Sequence, residues 1–309
     1  MTAERKHTLW LAVVAALAAA VPLATDNDFH LRVLFLIGVN YIAAAGMNVL
    51  VGYTGQKSLG HAGLFAVGAY TVALLTARWG WNPWPAFVAA GVMAGIFGVV
   101  IERTMLARLY QLDHVYGLLL TFGLALVIQG LFRNEYGVSG LPYAIPPQLS
   151  GGQNLGFMFL PNYRAWVIVA SLVVCLVTWY VIERTRLGGY LRAATENPQL
   201  VQAFGINVPR MITLTYGFGV ALAALAGVMA APIYQVSPQM GGDLIIVVFA
   251  VVVVGGMGSI LGAILTGFML GLLEGLTKVF YPEASTTVIF VVMTIVLLIR
   301  PAGLFGIQK

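Results

Sequence analysis

Few residues in this chain have the chemistry for catalysis or ligand binding, and their spacing argues against an enzyme. The histidines, His7, His30, His61 and His114, are scattered, so they offer neither a metal cluster nor a base beside a nucleophile. No H-E-x-x-H, G-x-S-x-G, CxxC or Walker A sequence occurs. The expectation is a chain with no catalytic residue, no metal site and no cofactor of its own, in which any energy from ATP is supplied by another chain. The one cysteine, Cys175, lies inside an apolar run, where it is expected to be a small packing residue and cannot form an intrachain disulfide.

Polar residues become informative where they interrupt apolar sequence. Residues 52–70, GYTGQKSLGHAGLFAVGAY, set Gln56, Ser58 and His61 among glycines. A histidine in an apolar segment is costly unless it faces protein or water, and the glycines permit close backbone approach or unwinding. Two readings follow: a tight helix crossing with His61 satisfied internally, or a broken segment of the kind with which transporters hold polar solutes. Gly255, Gly256 and Gly258, followed by Gly262, Gly267 and Gly271, form a second glycine-rich element in the other half of the chain. Thr121 and Gln129 are further polar positions within an apolar run. Asp243 and Glu274 flank another. An intramembrane carboxylate suggests a proton or sodium relay, but both are expected near a membrane surface, as charges at helix ends.

The elements that must position these residues follow from composition. Of 309 residues, 60% are hydrophobic and only 9% charged, with a mean hydropathy of +0.91, whereas soluble domains carry about 25% charged residues. The apolar runs at 9–24, 31–51, 59–77, 84–101, 115–132, 165–182, 211–233, 244–273 and 286–299 are too long for barrel strands. The expected fold is therefore all-α: one polytopic transmembrane helical bundle over residues 1–309, with about eight to ten segments and glycine-broken short helices. Residues 9–24, after Arg5 and Lys6, read as a retained first span rather than a cleaved leader.

Run 244–273 is too long for one upright span and breaks at Gly255 to Ser259. Treating it as two segments with residue 1 in the cytoplasm puts eleven Lys and Arg inside and five outside, the bias the positive-inside rule requires. Both termini are then cytoplasmic. The outer side receives a Gly- and Pro-rich loop, 133–164, in which no long helix is expected. It also receives Trp79, Trp81 and Trp84, suited to an interface. The inner side receives the loop 183–210, in which Asn197 suits an N-cap, Pro198 the first helical turn and Gly205 the C-terminal end of a short helix. That helix is either an amphipathic connector at the headgroups or a docking element. A short echo, Val100-Ile101-Glu102-Arg103-Thr104 and Val181-Ile182-Glu183-Arg184-Thr185, recurs where two apolar runs meet inner loops.

These residues resemble the membrane permeases of branched-chain amino acid ABC importers. The pattern G-Q-x-S-L-G-H-A-x-x-F-x-x-G-A-Y within 52–70 is similar to the family's M-lettered permease, while Leu118 to Leu124 with Gln129, and Ala231 to Tyr234, read more like its H-lettered partner. Arg192-Ala193 through Glu196-Asn197 to Ala203, Gly205 and Ile206 resembles the family's cytoplasmic coupling helix and its ATPase-docking loop. Val254 to Gly262 and the ending Leu297 to Gly306 are similar to its C-terminal half.

The resemblance implies a bacterial inner-membrane importer of branched-chain amino acids, urea, short amides or aromatic acids. Its partners would be a second paralogous permease or a second copy, two cytoplasmic ATPase subunits that bind the ATP, a periplasmic solute-binding protein and membrane lipid, with no nucleic acid. It implies ATPase contact at Glu196, Asn197, Ala203, Gly205 and Ile206. The candidates for the pathway lining are Gln56, Ser58, His61, Thr121 and Gln129, chosen as polar residues in or beside apolar segments. The alternatives are an ion-coupled secondary transporter working without an ATPase, through Asp243 and Glu274, and a membrane scaffold without a pathway.

Overall fold

The computed structural model describes residues 28–55, 58–110, 112–154 and 159–306; the expected first span, 9–24, and Gln56 lie outside the described residues. The chain runs through α1 (Asp28–Asn48), a π-helical turn (Val49–Tyr53), α2 (His61–Ala77), α3 (Pro83–Thr104) and α4 (His114–Tyr136). A two-stranded antiparallel hairpin follows, β1 (Gly152–Asn154) with β2 (Phe159–Pro161). Then come α5 (Asn162–Arg184), α6 (Arg186–Glu196), α7 (Pro198–Ala203), α8 (Val208–Tyr234), α9 (Met240–Gly255), α10 (Ile260–Phe280) and α11 (Ser285–Ile299).

Six of these helices are long and apolar enough to cross a bilayer, and α2, α9 and most of α11 are shorter apolar helices. This is a multi-pass membrane protein. The run 244–273 is indeed two helices, because Gly256 and Gly258, at φ 99° and 87°, break the backbone between α9 and α10. The expected 133–164 loop is shorter than its sequence suggested. Arg133 belongs to the last turn of α4 and Arg164 to the first turn of α5, since a long cationic side chain can sit at a helix end and still reach the interface.

The centre of the bundle is α1, whose span Val33–Tyr53 is 94% buried; α4 lies at the edge, with 11% of its span buried. Around α1 pack α5, α8, α9 and α10, and α8 also carries α2 and α3 on its other faces. Small residues set the closeness. A Cβ at Gly68 would come within 2.2 Å of the Ala224 carbonyl oxygen, and one at Gly227 within 2.0 Å of that of Phe65, so α2 and α8 touch backbone to backbone.

The two ends of the bundle differ. One end carries Trp79, Trp81 and Trp84, all exposed, and the hairpin. There Leu141 N donates to Val236 O at 2.9 Å, holding the long loop against the end of α8. The other end carries α6, α7 and most of the arginines.

Candidate translocation pathway and docking loop

Ala43 is the central residue of the 21-residue span Val33–Tyr53. His61 Nε2 donates to its carbonyl oxygen at 2.9 Å, and His61 is the first residue of α2. Ala43 lies ten residues before Tyr53, about 15 Å back along the helix. The chain therefore turns back into the bundle after the π-helical turn and starts α2 at mid-depth.

Non-helical backbone at that depth is tolerated only where protein or water satisfies it. Here Ser58 and His61 are buried, and Leu59 N donates to Thr121 Oγ1 at 3.1 Å. Thr121 is itself buried and also bonds the Leu118 carbonyl. The structure thus brings three of the candidate pathway residues, Ser58, His61 and Thr121, into one cluster. Gln129 is half-buried and stands eight residues further along α4, about 12 Å away along the axis.

Gly241, in the first turn of α9, lies against the carbonyl oxygen of Ala62, where a Cβ would come within 1.8 Å. Two helices thus begin beside each other at the depth of Ala43. The Gly255 to Ser259 break sits instead at the level of Gly52, near the end of α1. There Asn48 Nδ2 donates to Ser259 O at 2.7 Å and Asn48 Oδ1 accepts from Gly258 N at 2.8 Å. The missed signal was Ser237-Pro238 followed by Gly241-Gly242, punctuation that ends one segment and opens another.

Asp243 falls in the first turn of α9, two residues beyond Gly241. Glu274 lies within α10, six residues before its end, and Lys278, one turn on, lies 2.5 Å from it.

At the arginine-rich end, Asn197 caps α7 through Oδ1, which accepts from Leu200 N at 3.0 Å, and Pro198 takes the first position. Gly205 holds φ 83° just after the helix, as its place required. Glu196 ends α6, Ala203 ends α7, and Glu196, Asn197, Ala203 and Gly205 are exposed, while Ile206 packs partly against the core. Leu200 is 56% and Phe204 77% exposed, an apolar pair that the sequence reading did not single out. Gly188, Leu191 and Ala194 bury the opposite, three-residue-spaced face of α6. A cavity of about 560 Å³ opens at this end between Tyr53, Glu183, Arg192, Glu196, Gly258 and Phe305.

The echoed pentapeptides fold alike. Thr104 and Thr185 each donate back one turn, to Val100 O and Val181 O, and each glutamate accepts from a tyrosine hydroxyl, Glu102 from Tyr110 and Glu183 from Tyr53. Burial, then the bond to Glu102 and its charge, raise the Tyr110 phenol above its usual range, so Tyr110 stays a donor at any physiological pH.

A family model described as "Branched-chain amino acid transport system / permease component" matches residues 29–298. The chain belongs to this family. The permease is 28% identical to the high-affinity branched-chain amino acid transport system permease protein LivH of Escherichia coli K12, over 87% of this chain and 92% of LivH. It is 29% identical to the LivM permease protein of the same organism's high-affinity system, over 98% of this chain and 76% of LivM. Among solved structures, a chain of PsaBC from Streptococcus pneumoniae in complex with Fab is similar at 14% identity and TM-score 0.49, over 92% of the permease and 94% of that chain.

Proposed function

We propose that the permease is the transmembrane half of an ATP-driven importer for branched-chain amino acids or a related small polar solute such as urea, an amide or an aromatic acid. It works with a second permease, paralogous or a second copy, with two ATPase subunits on the cytoplasmic side and with an external solute-binding protein. ATP is bound and hydrolysed by the ATPases. The arginine-rich end is cytoplasmic, in keeping with the positive-inside rule.

The observation that carries this reading is the capped helix α7, presented with Leu200, Ala203 and Phe204 exposed. An isolated apolar patch on a short, rigidly capped element suits a protein groove. Glu196, Asn197, Ala203, Gly205 and Ile206 are the contacts proposed for the ATPase, with Phe204 and Leu200 as apolar anchors. Closure of the ATPases then moves α6 and α7 and shifts the permease from outward- to inward-facing.

The solute passes where α2 and α9 begin, beside Ser58, His61 and Thr121, with Gln56 and Gln129 as further polar positions on the route. Supporting this path is the mid-depth meeting of two helix starts, whose free N–H groups suit a carboxylate. His61 Nδ1, buried and without a hydrogen-bond partner among the described residues, adds an acceptor there.

The test is co-purification of the permease with its ATPase subunits and ATP-driven uptake. Gly205→Asp and Glu196→Ala are expected to weaken both, and unchanged assembly and uptake in these variants would count against the docking role.

A further inference from the structure

We propose that Arg192, Glu183 and Tyr53 form a relay that carries movement of the docking loop to the broken segment between α9 and α10. Glu183 and Tyr53 act in it as positioning residues that touch neither ATP nor solute. The inference rests on the docking role of α6 and α7 given above.

Glu183 lies in the last turn of α5 and uses its two oxygens for two different elements. Oε2 accepts from Arg192 of α6 at 3.2 Å, and Oε1 accepts from the Tyr53 hydroxyl at 3.2 Å. Tyr53 is the buried last residue of the π-helical turn. The residue before it, Gly52, packs on the backbone of Gly258, where a Cβ would come within 2.3 Å of the amide nitrogen. Within that same stretch Asn48 clasps Gly258 N and Ser259 O. A continuous set of contacts therefore runs from α6 to the glycine break, through residues distant in sequence. π-helical turns of this kind are often found at functional sites.

Stability alone does not account for the arrangement. The side chains of Arg192 and Glu183 are 44% and 33% exposed, and an ion pair in that setting contributes little to stability. The echoed site supplies a comparison within the same chain. Glu102 accepts from Tyr110, eight residues on, but its Oε2 is buried without a partner among the described residues. The same local motif thus serves one hairpin at Glu102 and bridges three elements at Glu183. Tyr53, Glu183, Arg192, Gly258 and Ser259 also line the cavity at this end, so movement of α6 changes the opening next to the break.

The experiment measures ATP hydrolysis and solute uptake together, in proteoliposomes holding the full transporter with its ATPases and binding protein. Glu183→Gln and Tyr53→Phe are expected to hydrolyse ATP within about twofold of wild type while uptake falls roughly 5- to 150-fold, the range of ordinary coupling energies. The double variant Tyr53→Phe/Arg192→Ala is expected to transport no worse than the poorer single variant, because one broken link already interrupts the relay. Glu102→Gln is expected to lower thermal stability and leave the ATP used per solute unchanged. Normal uptake in Glu183→Gln, a proportional fall of hydrolysis and uptake, or additive losses in the double variant would each overturn the relay. A wild-type chain that does not assemble with ATPases would overturn the docking reading itself, an outcome distinct from a coupled wild type with a coupled Glu183→Gln.

Discussion

His61 Nε2 donates to the carbonyl oxygen of Ala43 at 2.9 Å, fastening the first residue of α2 to the middle of the span Val33–Tyr53. The carbonyl has a second lone pair to give, so the bond costs α1 nothing of its own ladder. It fixes the depth at which α2 starts. His61→Leu removes it and is expected to destabilise the permease by about 1–3 kcal/mol and to reduce uptake. His61→Gln, which keeps a donor, is expected to recover part of both. Thermal unfolding of the purified permease and uptake by the assembled transporter check this, and a His61→Leu protein equal to wild type in both would contradict it.

Close helix approach makes a second prediction. Gly227→Val would set side-chain carbons on the Phe65 carbonyl, and no rotamer relieves a clash with backbone. The expected loss exceeds the roughly 1–3 kcal/mol of ordinary overpacking and appears as lost folded yield. Gly123→Ala and Gly130→Ala on α4 meet nothing within 4 Å and are expected to be neutral. Equal yields for Gly227→Val and Gly123→Ala would show that α2 and α8 do not pack as described.

Much of this organisation was legible in the sequence, for identifiable reasons. Charge punctuation between apolar runs marked the spans, and the helix-end grammar of Asn197, Pro198 and Gly205 marked α7, because both signals are local. The break at Gly256 and Gly258 was legible for the same reason. What the sequence did not reveal was which broken segment meets which. The contact between Ala62 and Gly241 joins residues far apart in the chain, and nothing in either stretch names the other. Nor did the echo of Glu102 and Glu183 disclose that one glutamate is buried beside Tyr110 and the other bridges to Arg192.

The Glu102 and Tyr110 pair gives a third prediction. Tyr110→Phe leaves the buried Glu102 carboxyl without its donor and is expected to cost about 1–3 kcal/mol. Removing both groups, in Glu102→Leu/Tyr110→Phe, is expected to be milder than Tyr110→Phe alone, since no unpaired acceptor is left behind. Unfolding midpoints of the three proteins decide it; a double variant less stable than Tyr110→Phe contradicts it.

The exposed pair Leu200 and Phe204 belongs to the central claim. Phe204→Ser takes away an apolar anchor that is 77% exposed in the permease alone, so folding is expected to be unchanged while ATPase binding weakens about tenfold or more. The most direct measurement is uptake of a branched-chain amino acid by proteoliposomes containing the permease with and without its ATPase subunits. The account predicts uptake only when ATPases, ATP and the binding protein are all present, and its loss in Phe204→Ser and Gly205→Asp. Uptake by the permease without ATPases under an ion gradient, or full ATP-driven uptake in both loop variants, would contradict it.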